Sequence, residues 1–390
     1  MKKVILRAPV LTQSGYGVHA RQVARWLLGR HDIDLSINAM PWGDTPWHID
    51  SAAQNGLIGE LMTRTCEPAS IRGQGGVSFQ LQLPNEWDPT LADVNVGMTA
   101  GVETDRCNPE WITACNKMSC VVVPSKHVET CLRATGTITV PVHVVPEAWS
   151  AACAVPDAEL PSGPVLDDEI NLLVFGQLTG TNPYNDRKNT FFAIRWLCEL
   201  FADDPRVGIV LKTNACRNTL IDRDIVVNAL KGVISQVRAP GQGPRLHLIH
   251  GDMSDADVAA LYRHPRMRAL IAPTRGEGFG LPILEAAACG LPVVATAWSG
   301  HVDFLSDRYS SVQYQLEQVH STRVDGRIFV KGARWASPNE QDFKRRVRDI
   351  VADPAQARQR AAALRDDIVK SHSPEAITAM YDVVLGGYLA

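Results

Sequence analysis

The sequence lacks several features that would place it in a specialised class of protein. Its 390 residues contain no apolar run that approaches the ~18 residues needed to span a bilayer, and the charged start MKK leads into a strand pattern, not a signal peptide. The nine cysteines form no CxxC pairs, which argues against a zinc or dithiol redox site. We therefore predict a cytoplasmic protein without a stable membrane span, in which reduced cysteines serve as packing residues.

The sequence also lacks a large excess of charge of either sign. Its 39 Lys and Arg residues stand against 42 Asp and Glu residues, and residues 1–150 hold 12 against 14. No global basic field is present to recruit nucleic acid or an anionic membrane. With 45% hydrophobic residues, the composition is that of a globular protein, and the length exceeds one comfortable core, so we expect two domains.

The most informative stretch runs from residue 269 to residue 297 and reads ALIAPTRGEGFGLPILEAAACGLPVVATA. Its apolar start predicts a buried parallel strand, and Pro282 suits the first turn of a helix. We expect this helix to end at Gly290, in the position of a left-handed C-terminal cap before the strand VVAT. The glycines of the intervening GEGFG segment leave main-chain N–H groups open to a ligand.

The N-terminus of this helix points back into the glycine loop. It carries about half a positive charge and free N–H donors, so it can receive a phosphate or another anion. Glu277 in the loop and Glu285 in the helix flank this position. Because a carboxylate does not bind an anion, we expect hydroxyl groups as the partners of these two acids.

The segments EGFGLPILE and ACGLPVVAT, with seven residues between the two acids, closely resemble a known signature. It is the nucleotide-sugar signature of the family 4 retaining glycosyltransferases, including bacterial and phage members. The resemblance implies an α/β protein of the GT-B fold, in which two facing Rossmann-like βα domains enclose an interdomain cleft. It also implies a metal-independent enzyme without a cofactor, which moves a sugar from a UDP- or GDP-linked donor to a hydroxyl acceptor.

The strand and helix patterns along the chain fit two such domains. We assign residues 1–163 to an N-terminal, acceptor-side domain and residues 164–373 to a C-terminal domain that binds the nucleotide sugar. The boundary is expected near residue 163, because the segment that precedes it is proline-rich, polar and aperiodic. By analogy with this fold, residues 374–390 are expected to form a helix that packs back on the N-terminal domain.

The resemblance extends to the remaining donor contacts. Gly15 and Gly17 resemble the family's N-terminal glycine turn, which faces the donor phosphates, although an ordinary tight turn would look the same. Lys188 matches the family's diphosphate-binding lysine. Gln177 stands near the place of the family's arginine, so Arg187 is expected to replace that arginine. The signature itself contributes four further donor-binding residues, namely Gly278, Phe279, Gly280 and Leu281.

By the same resemblance, Glu277 would hold the sugar hydroxyls and the developing positive charge, and Glu285 would hold the ribose hydroxyls. On the acceptor side, Glu103 and Asp105 follow a predicted strand, where α/β sheets place their ligands. Many family members have a histidine in the corresponding loop, and this sequence has none there. One interpretation gives Glu103 or Asp105 the acceptor hydroxyl, and the other makes them a solvated side chain and a helix cap.

A polar, turn-rich segment carries Trp42, Trp47 and His48, and Trp87 follows later. Such aromatic side chains stack on a sugar ring or a base, or they anchor a long loop to its own domain. The first alternative would place them on the acceptor side.

The sequence leaves the acceptor open and indicates no oligomeric state. A glycan or lipid-linked glycan is the family's common acceptor. Phage relatives suggest a hydroxymethylated base in DNA, with a tryptophan beside the flipped nucleotide, but the weak basic character of the chain counts against it. A GT-B sugar-nucleotide epimerase or a non-catalytic sensor of sugar nucleotides is the alternative from another class.

Overall fold

The computed structural model describes residues 1–67, 70, 75–178, 182–239 and 241–390. The loop predicted after the first strand of the second domain lies partly outside the described residues, at positions 179–181. None of the described helices combines the length and the apolar character needed to cross a membrane.

The chain divides into two compact units. Unit 1 contains Met1–Ala148, Gly326–Val330 and Pro374–Ala390, and unit 2 contains Trp149–Asp325 and Lys331–Ser373.

Unit 1 is built on a parallel sheet of six strands in the order β2-β1-β3-β4-β5-β6. The strands are β1 (Lys2–Ala8), β2 (Ile33–Ala39), β3 (Val77–Leu81), β4 (Val94–Met98), β5 (Cys120–Val123) and β6 (Val142–Val144). In the described part of the chain between β1 and β6, the helices are α1 (Gly15–Leu28), α2 (Leu57–Thr63), α3 (Pro109–Cys115) and α4 (Lys126–Thr135). The Ser125 side chain accepts the N–H of Val128 and so caps the start of α4.

Unit 2 contains a second parallel sheet, in the order β12-β11-β10-β7-β8-β9. The strands are β7 (Ile170–Phe175), β8 (Val207–Thr213), β9 (Arg245–His250), β10 (Met267–Ala272), β11 (Val293–Thr296) and β12 (Ser310–Val312). A separate antiparallel pair consists of β13 (Tyr314–Gln318) and β14 (Arg334–Pro338). The two parallel sheets confirm the predicted α/β architecture of two Rossmann-like units.

The helices of unit 2 begin and end largely where local signals predict. They are α5 (Thr190–Leu200), α6 (Leu220–Val237), α7 (Asp255–Tyr262), α8 (Leu281–Ala288), α9 (Val302–Leu305), α10 (Glu340–Ala352) and α11 (Pro354–Ser371). Ser254 and Asp257 form a capping box at the start of α7. After α8, Gly290 adopts a φ of +76°, which confirms the left-handed cap.

The division between the units falls between Ala148 and Trp149, whereas the sequence suggested a boundary near residue 163. The intervening segment is not a free linker, because Trp149 and Cys153 are buried in the core of unit 2. Arg263 also donates a hydrogen bond of 2.5 Å to the carbonyl of Val155. Proline-rich composition signals irregular backbone, but it does not indicate which core the irregular segment joins.

The C-terminal helix α12 (Pro374–Leu389) belongs to unit 1. Its Tyr381 ring stacks on Trp26 of α1, with 5.2 Å between ring centroids. The indole N–H of Trp26 donates to Asp382 at 2.8 Å. The segment Gly326–Val330 also belongs to unit 1, and no sequence pattern predicted that it would leave unit 2.

Candidate functional site

The glycine loop between β10 and α8 forms the centre of the candidate site in unit 2. Gly280 precedes the helix with a φ of +106° and offers no side chain to the helix N-terminus. A left-handed residue at this position turns the loop sharply, which glycine tolerates best. The first turn of α8 contains no acidic side chain, so its partial positive charge is not offset from within the helix.

Glu277 is buried in this loop and pairs with two cations. The ammonium Nζ of Lys188 lies 2.8 Å from Oε1, and the guanidinium Nη1 of Arg187 lies 3.1 Å from Oε2. Burial alone would raise the pKa of Glu277, but the charges of Lys188 and Arg187 outweigh burial and lower the pKa to about 2. Glu277 is therefore ionised throughout the physiological pH range.

The turn that carries the two cations is tied to the glycine loop by its backbone. Arg187 donates a second hydrogen bond, of 2.9 Å, to the carbonyl of Gly276. In return, the carbonyl of Arg187 accepts the N–H of Arg275 at 2.8 Å. Asp186 accepts the N–H of Lys188 at 2.9 Å, which fixes the start of this turn. The sequence-predicted residues Arg187, Lys188 and Glu277 are thus brought together.

A second loop, after β11, holds the glycine loop from the other side. The N–H of Glu277 donates to Ser299 Oγ at 2.9 Å, and the N–H of Gly300 donates to the carbonyl of Glu277 at 2.9 Å. Ser299 has a φ of +88°, an uncommon conformation for a residue with a side chain. The buried His301 lies next to it, with Nε2 2.7 Å from the carbonyl oxygen of Thr296. Sequence reasoning noted Gly300 and missed both neighbours.

Glu285 lies in the second turn of α8, outside the ion network of Glu277. Burial raises the pKa of Glu285 to about 8, and the nearby Asp255 and Cys289 add to the effect. The backbone N–H of Ser150 opposes the shift without cancelling it. The two acids of the signature therefore differ in charge near neutral pH.

The other signature residues contribute mainly backbone. The side chain of Phe279 is buried in the core, with its ring centroid 5.2 Å from that of Phe304. Leu281 packs against the same core. Phe279 and Leu281 could therefore meet a ligand through their main chain and not through their side chains.

Lys212, at the end of β8, is a buried cation that the sequence analysis did not single out. Its ammonium donates to the side chain of Asn214 and, at 2.6 Å, to the carbonyl of Gly251. Burial lowers the pKa of Lys212 to about 8. Lys212 therefore supports the backbone of the turn that follows β9.

In unit 1, Tyr16 and Trp42 stack with 3.7 Å between ring centroids. The hydroxyl of Tyr16 lies 3.1 Å from Thr99 Oγ1 and accepts the N–H of Ala100 at 3.1 Å. Burial raises the pKa of Tyr16, and the charge of Glu103 adds to the rise. The start of α1 and the loops after β2 and β4 thus meet around Tyr16. The sequence analysis missed this residue, because a lone tyrosine in the first turn of a helix gives no signal.

The two glycines of the first loop differ in what surrounds them. A Cβ on Gly17 would lie 2.1 Å from the carbonyl oxygen of Thr12, so close backbone packing requires glycine there. A Cβ on Gly15 would meet no atom within 4 Å.

Trp47 and His48 lie in the loop after β2. The backbone N–H of His48 donates to the carbonyl of Leu11 at 2.7 Å, and Trp47 is 40% exposed. His48 therefore anchors its loop through its backbone, and the indole of Trp47 is accessible.

One sequence interpretation in unit 1 is wrong. Asp105 does not cap a helix, because the side chain of Asn108 caps α3 by accepting the N–H of Glu110. Asp105 instead lies 3.8 Å from Arg106, measured from Oδ1 to Nε, and Glu103 is half-buried. Trp87 is buried, with its ring packed directly against the backbone of Gly97, which fits the alternative that it anchors its loop to its own domain.

Parts of the sequence match a known protein family and a known enzyme. Residues 243–380 match the family described as Family 4 Glycosyltransferase in conflict systems. The D-inositol 3-phosphate glycosyltransferase of Salinispora arenicola is 48% identical over 56 residues, and this match covers 14% of the chain but only 12% of that relative's length.

The fold of the whole chain resembles solved structures at low sequence identity. Sucrose-phosphate synthase from Thermosynechococcus elongatus superposes with a TM-score of 0.64 at 15% identity, over 99% of both chains. HepE of Anabaena, in complex with UDP and glucose, superposes with a TM-score of 0.60 at 12% identity, over 99% of this chain and 100% of that chain. Together with the family match, these findings confirm the sequence resemblance: the chain has a GT-B fold, and its residues 243–380 are similar to family 4 glycosyltransferases.

Proposed function

We propose that this protein is a glycosyltransferase that moves a sugar from a UDP- or GDP-linked donor to a hydroxyl of a glycan or lipid-linked glycan, with retention of the anomeric configuration. The observation that carries the proposal is the buried Glu277, which is held between Lys188 and Arg187 in the glycine loop before α8. The Anabaena relative was solved with UDP and glucose, which supports a nucleotide sugar as the donor.

The proposed chemistry centres on the leaving group. A nucleotide diphosphate gathers negative charge as the sugar departs, and Lys188, Arg187 and the N-terminus of α8 are already positioned to stabilise that charge. In the proposed mechanism these groups act without a metal ion or cofactor, and the acceptor attacks from the face that the diphosphate vacates. Gly15 and Gly17 would contribute the backbone of their turn to the phosphates.

The two acids of the signature have separate proposed roles. Glu277, ionised with a pKa of about 2, would bind sugar hydroxyls and stabilise the positive charge that develops at the anomeric carbon. Glu285, with a pKa of about 8, carries a proton near neutral pH and can donate as well as accept a hydrogen bond with the ribose hydroxyls.

In unit 1, Trp42, Trp47 and His48 are proposed to bind the acceptor. The exposed indole of Trp47 offers a face for a sugar ring. Glu103 and Asp105 are the candidates to receive the acceptor proton. The half-buried Glu103 lies close enough to Tyr16 to affect its pKa, which makes Glu103 the stronger candidate.

The substitution Glu277→Gln tests the donor assignment. It keeps the size of the side chain and removes its charge, so we expect transfer to fall by about 100-fold or more. UDP or GDP affinity, measured by calorimetry, should stay the same or rise, because Lys188 and Arg187 lose a competing anion. Glu169→Gln, an exposed change in unit 2, should leave both quantities unaltered. Loss of nucleotide binding with transfer retained would contradict the assignment.

An acceptor panel tests the other half of the reaction. Glycans, lipid-linked glycans and hydroxymethylated duplex DNA are incubated with labelled donor, and product and free nucleotide are both measured. Transfer to a glycan supports the proposal, and transfer to modified DNA alone would replace it with the nucleic-acid alternative. An epimerase or sensor is excluded if nucleotide release requires an acceptor.

A further inference from the structure

A cavity of about 680 Å³ lies in unit 2 at the C-terminal end of α8. It is bounded by the residues that follow α7, the residues that follow α8, the segment 154–157 and one face of α11. Because α8 has eight residues, its two ends are about 12 Å apart. The cavity is therefore separate from the glycine loop at the N-terminal end of the same helix.

The cavity carries an excess of positive charge. Arg263, Arg358 and Arg365 line it, together with one carboxylate, Asp157, which lies 3.0 Å from Arg263. A second carboxylate, Asp366, is not part of the lining but lies 3.2 Å from Arg365. Arg358 and Arg365 are seven residues apart on α11, so they project from the same face of the helix. Burial lowers the pKa of a further guanidinium, Arg268, and the nearby positive charge of Arg358 lowers it more.

The positive charge is not needed to neutralise the C-terminus of α8. The carbonyls of that last turn already accept hydrogen bonds from the three residues that follow the helix, each of 2.9 Å, from Cys289, Gly290 and Leu291. These bonds complete the cap, so the arginines do not serve as its missing partners. The aliphatic part of Arg365 packs beside Gly290, which holds its side chain at the cavity wall.

We propose that this cavity binds a small phosphate-bearing anion at a site distinct from the donor site. Guanidinium groups match phosphate oxygens in geometry and stay charged at any physiological pH, which makes clustered arginines suited to this ligand class. The volume lies within the ~300–1,000 Å³ of small-molecule sites, so an organic phosphate fits as well as inorganic pyrophosphate. Arg358 is the principal ligand, with Arg365 beside it. Arg263 is already engaged by Asp157 and by the carbonyl of Val155, and the guanidinium of Arg365 lies 3.2 Å from the carboxylate of Asp366.

The test must separate this site from the proposed diphosphate site. Binding of inorganic pyrophosphate is measured by calorimetry in the Lys188→Ala protein, in which the diphosphate contact in the glycine loop is removed. We expect one binding site to remain. Adding Arg358→Ala and Arg365→Ala should weaken that remaining binding by about tenfold or more. Adding Arg348→Ala, which removes an exposed arginine of α10, should not change it.

Two further measurements complete the experiment. The variant Arg358→Ala with Arg365→Ala, in an otherwise unchanged chain, should bind UDP as the wild type does, which shows that the protein is folded and that the donor site is independent. Competition by glucose 6-phosphate against pyrophosphate distinguishes an organic from an inorganic ligand. The proposal is overturned if the Lys188→Ala protein binds no pyrophosphate, or if loss of Arg358 and Arg365 has no more effect than loss of Arg348.

Discussion

At the scale of single residues, the two acids of one short motif occupy opposite electrostatic environments. Glu277 has a pKa of about 2, and Glu285, eight residues further on, has a pKa of about 8. Burial acts against ionisation in both cases, so the difference comes from the cations. Only Glu277 is contacted by Lys188 and Arg187, which reach it from a turn almost 90 residues earlier in the chain.

Glu285→Gln should stabilise the protein at alkaline pH. The folded pKa of about 8 lies above the ordinary value of 4.5, so between these values the unfolded chain releases a proton that the folded chain retains. Wild-type stability therefore falls as pH rises through this window, and a glutamine avoids the loss. The difference in Tm between Glu285→Gln and wild type should be small at pH 4.5 and grow up to pH 8.

Thermal unfolding monitored by circular dichroism across this pH range provides the measurement. Glu169→Gln removes an exposed carboxylate from the same unit and is the matched control, for which we expect a flat difference. If Glu285→Gln showed its largest gain at acidic pH, Glu285 would be ionised in the folded protein, and its proposed hydrogen-bond donation to ribose would be wrong.

At the scale of elements, the glycine loop is held by the loop that follows β11. The two backbones approach so closely that a Cβ on Gly300 would lie 2.1 Å from the carbonyl oxygen of Gly278 and 3.0 Å from that of Glu277. Neither neighbour is a flexible side-chain end, so any side chain at residue 300 must displace the loop that carries Glu277.

Gly300→Ala is therefore expected to reduce both nucleotide affinity and transfer, because Glu277, Arg187 and Lys188 would leave their common geometry. Calorimetry with UDP and a transfer assay measure the two effects. The matched control is Gly232→Ala in α6, where a Cβ meets no atom within 4 Å. The control should keep full activity and gain about 0.5–1 kcal/mol of stability from higher helix propensity. Equal activities in the two variants would refute this account of the loop.

The sequence predicted the local part of this arrangement and not the rest. The strand, the helix and the Gly290 cap follow from signals within a few residues of each other, and all three are confirmed. The pairing of Arg187 with Glu277 and the positive φ of Ser299 depend on contacts between distant segments. Such contacts leave no periodic pattern, so only the family resemblance pointed to Arg187.

At the scale of the whole molecule, alternating strand and helix patterns predicted two parallel sheets, and both are present. The borders of the two units were harder to predict. The segment from residue 149 to residue 163 lacks periodicity, yet Trp149 and Cys153 fill the core of unit 2. Gly326–Val330 joins unit 1 through a hydrogen bond of 2.9 Å from the side chain of Asn108 to the carbonyl of Gly326. Contacts of this kind, and not position in the sequence, decide to which unit a segment belongs.

Tyr381→Ala should destabilise unit 1 selectively, because α12 completes the core of that unit. The Tyr381 side chain is 1% exposed, stacks on Trp26 and places its hydroxyl 3.1 Å from Nε2 of His19. Removing a buried aromatic ring of this kind costs about 3–5 kcal/mol. Native-state hydrogen exchange should therefore show faster exchange in β1, β3 and α1, with little change in β7, β8 and β10.

Val383→Ala is the matched control, since this side chain of the same helix is 86% exposed, and it should leave exchange in both units near the wild-type rates. Two outcomes would contradict the prediction. Uniform acceleration in both sheets would mean that the two units unfold together as one cooperative body. Unchanged exchange in β1 would mean that α12 contributes little to unit 1, despite the stacking on Trp26. Selective acceleration would instead establish that the last residues of the chain stabilise the unit that its first residues build.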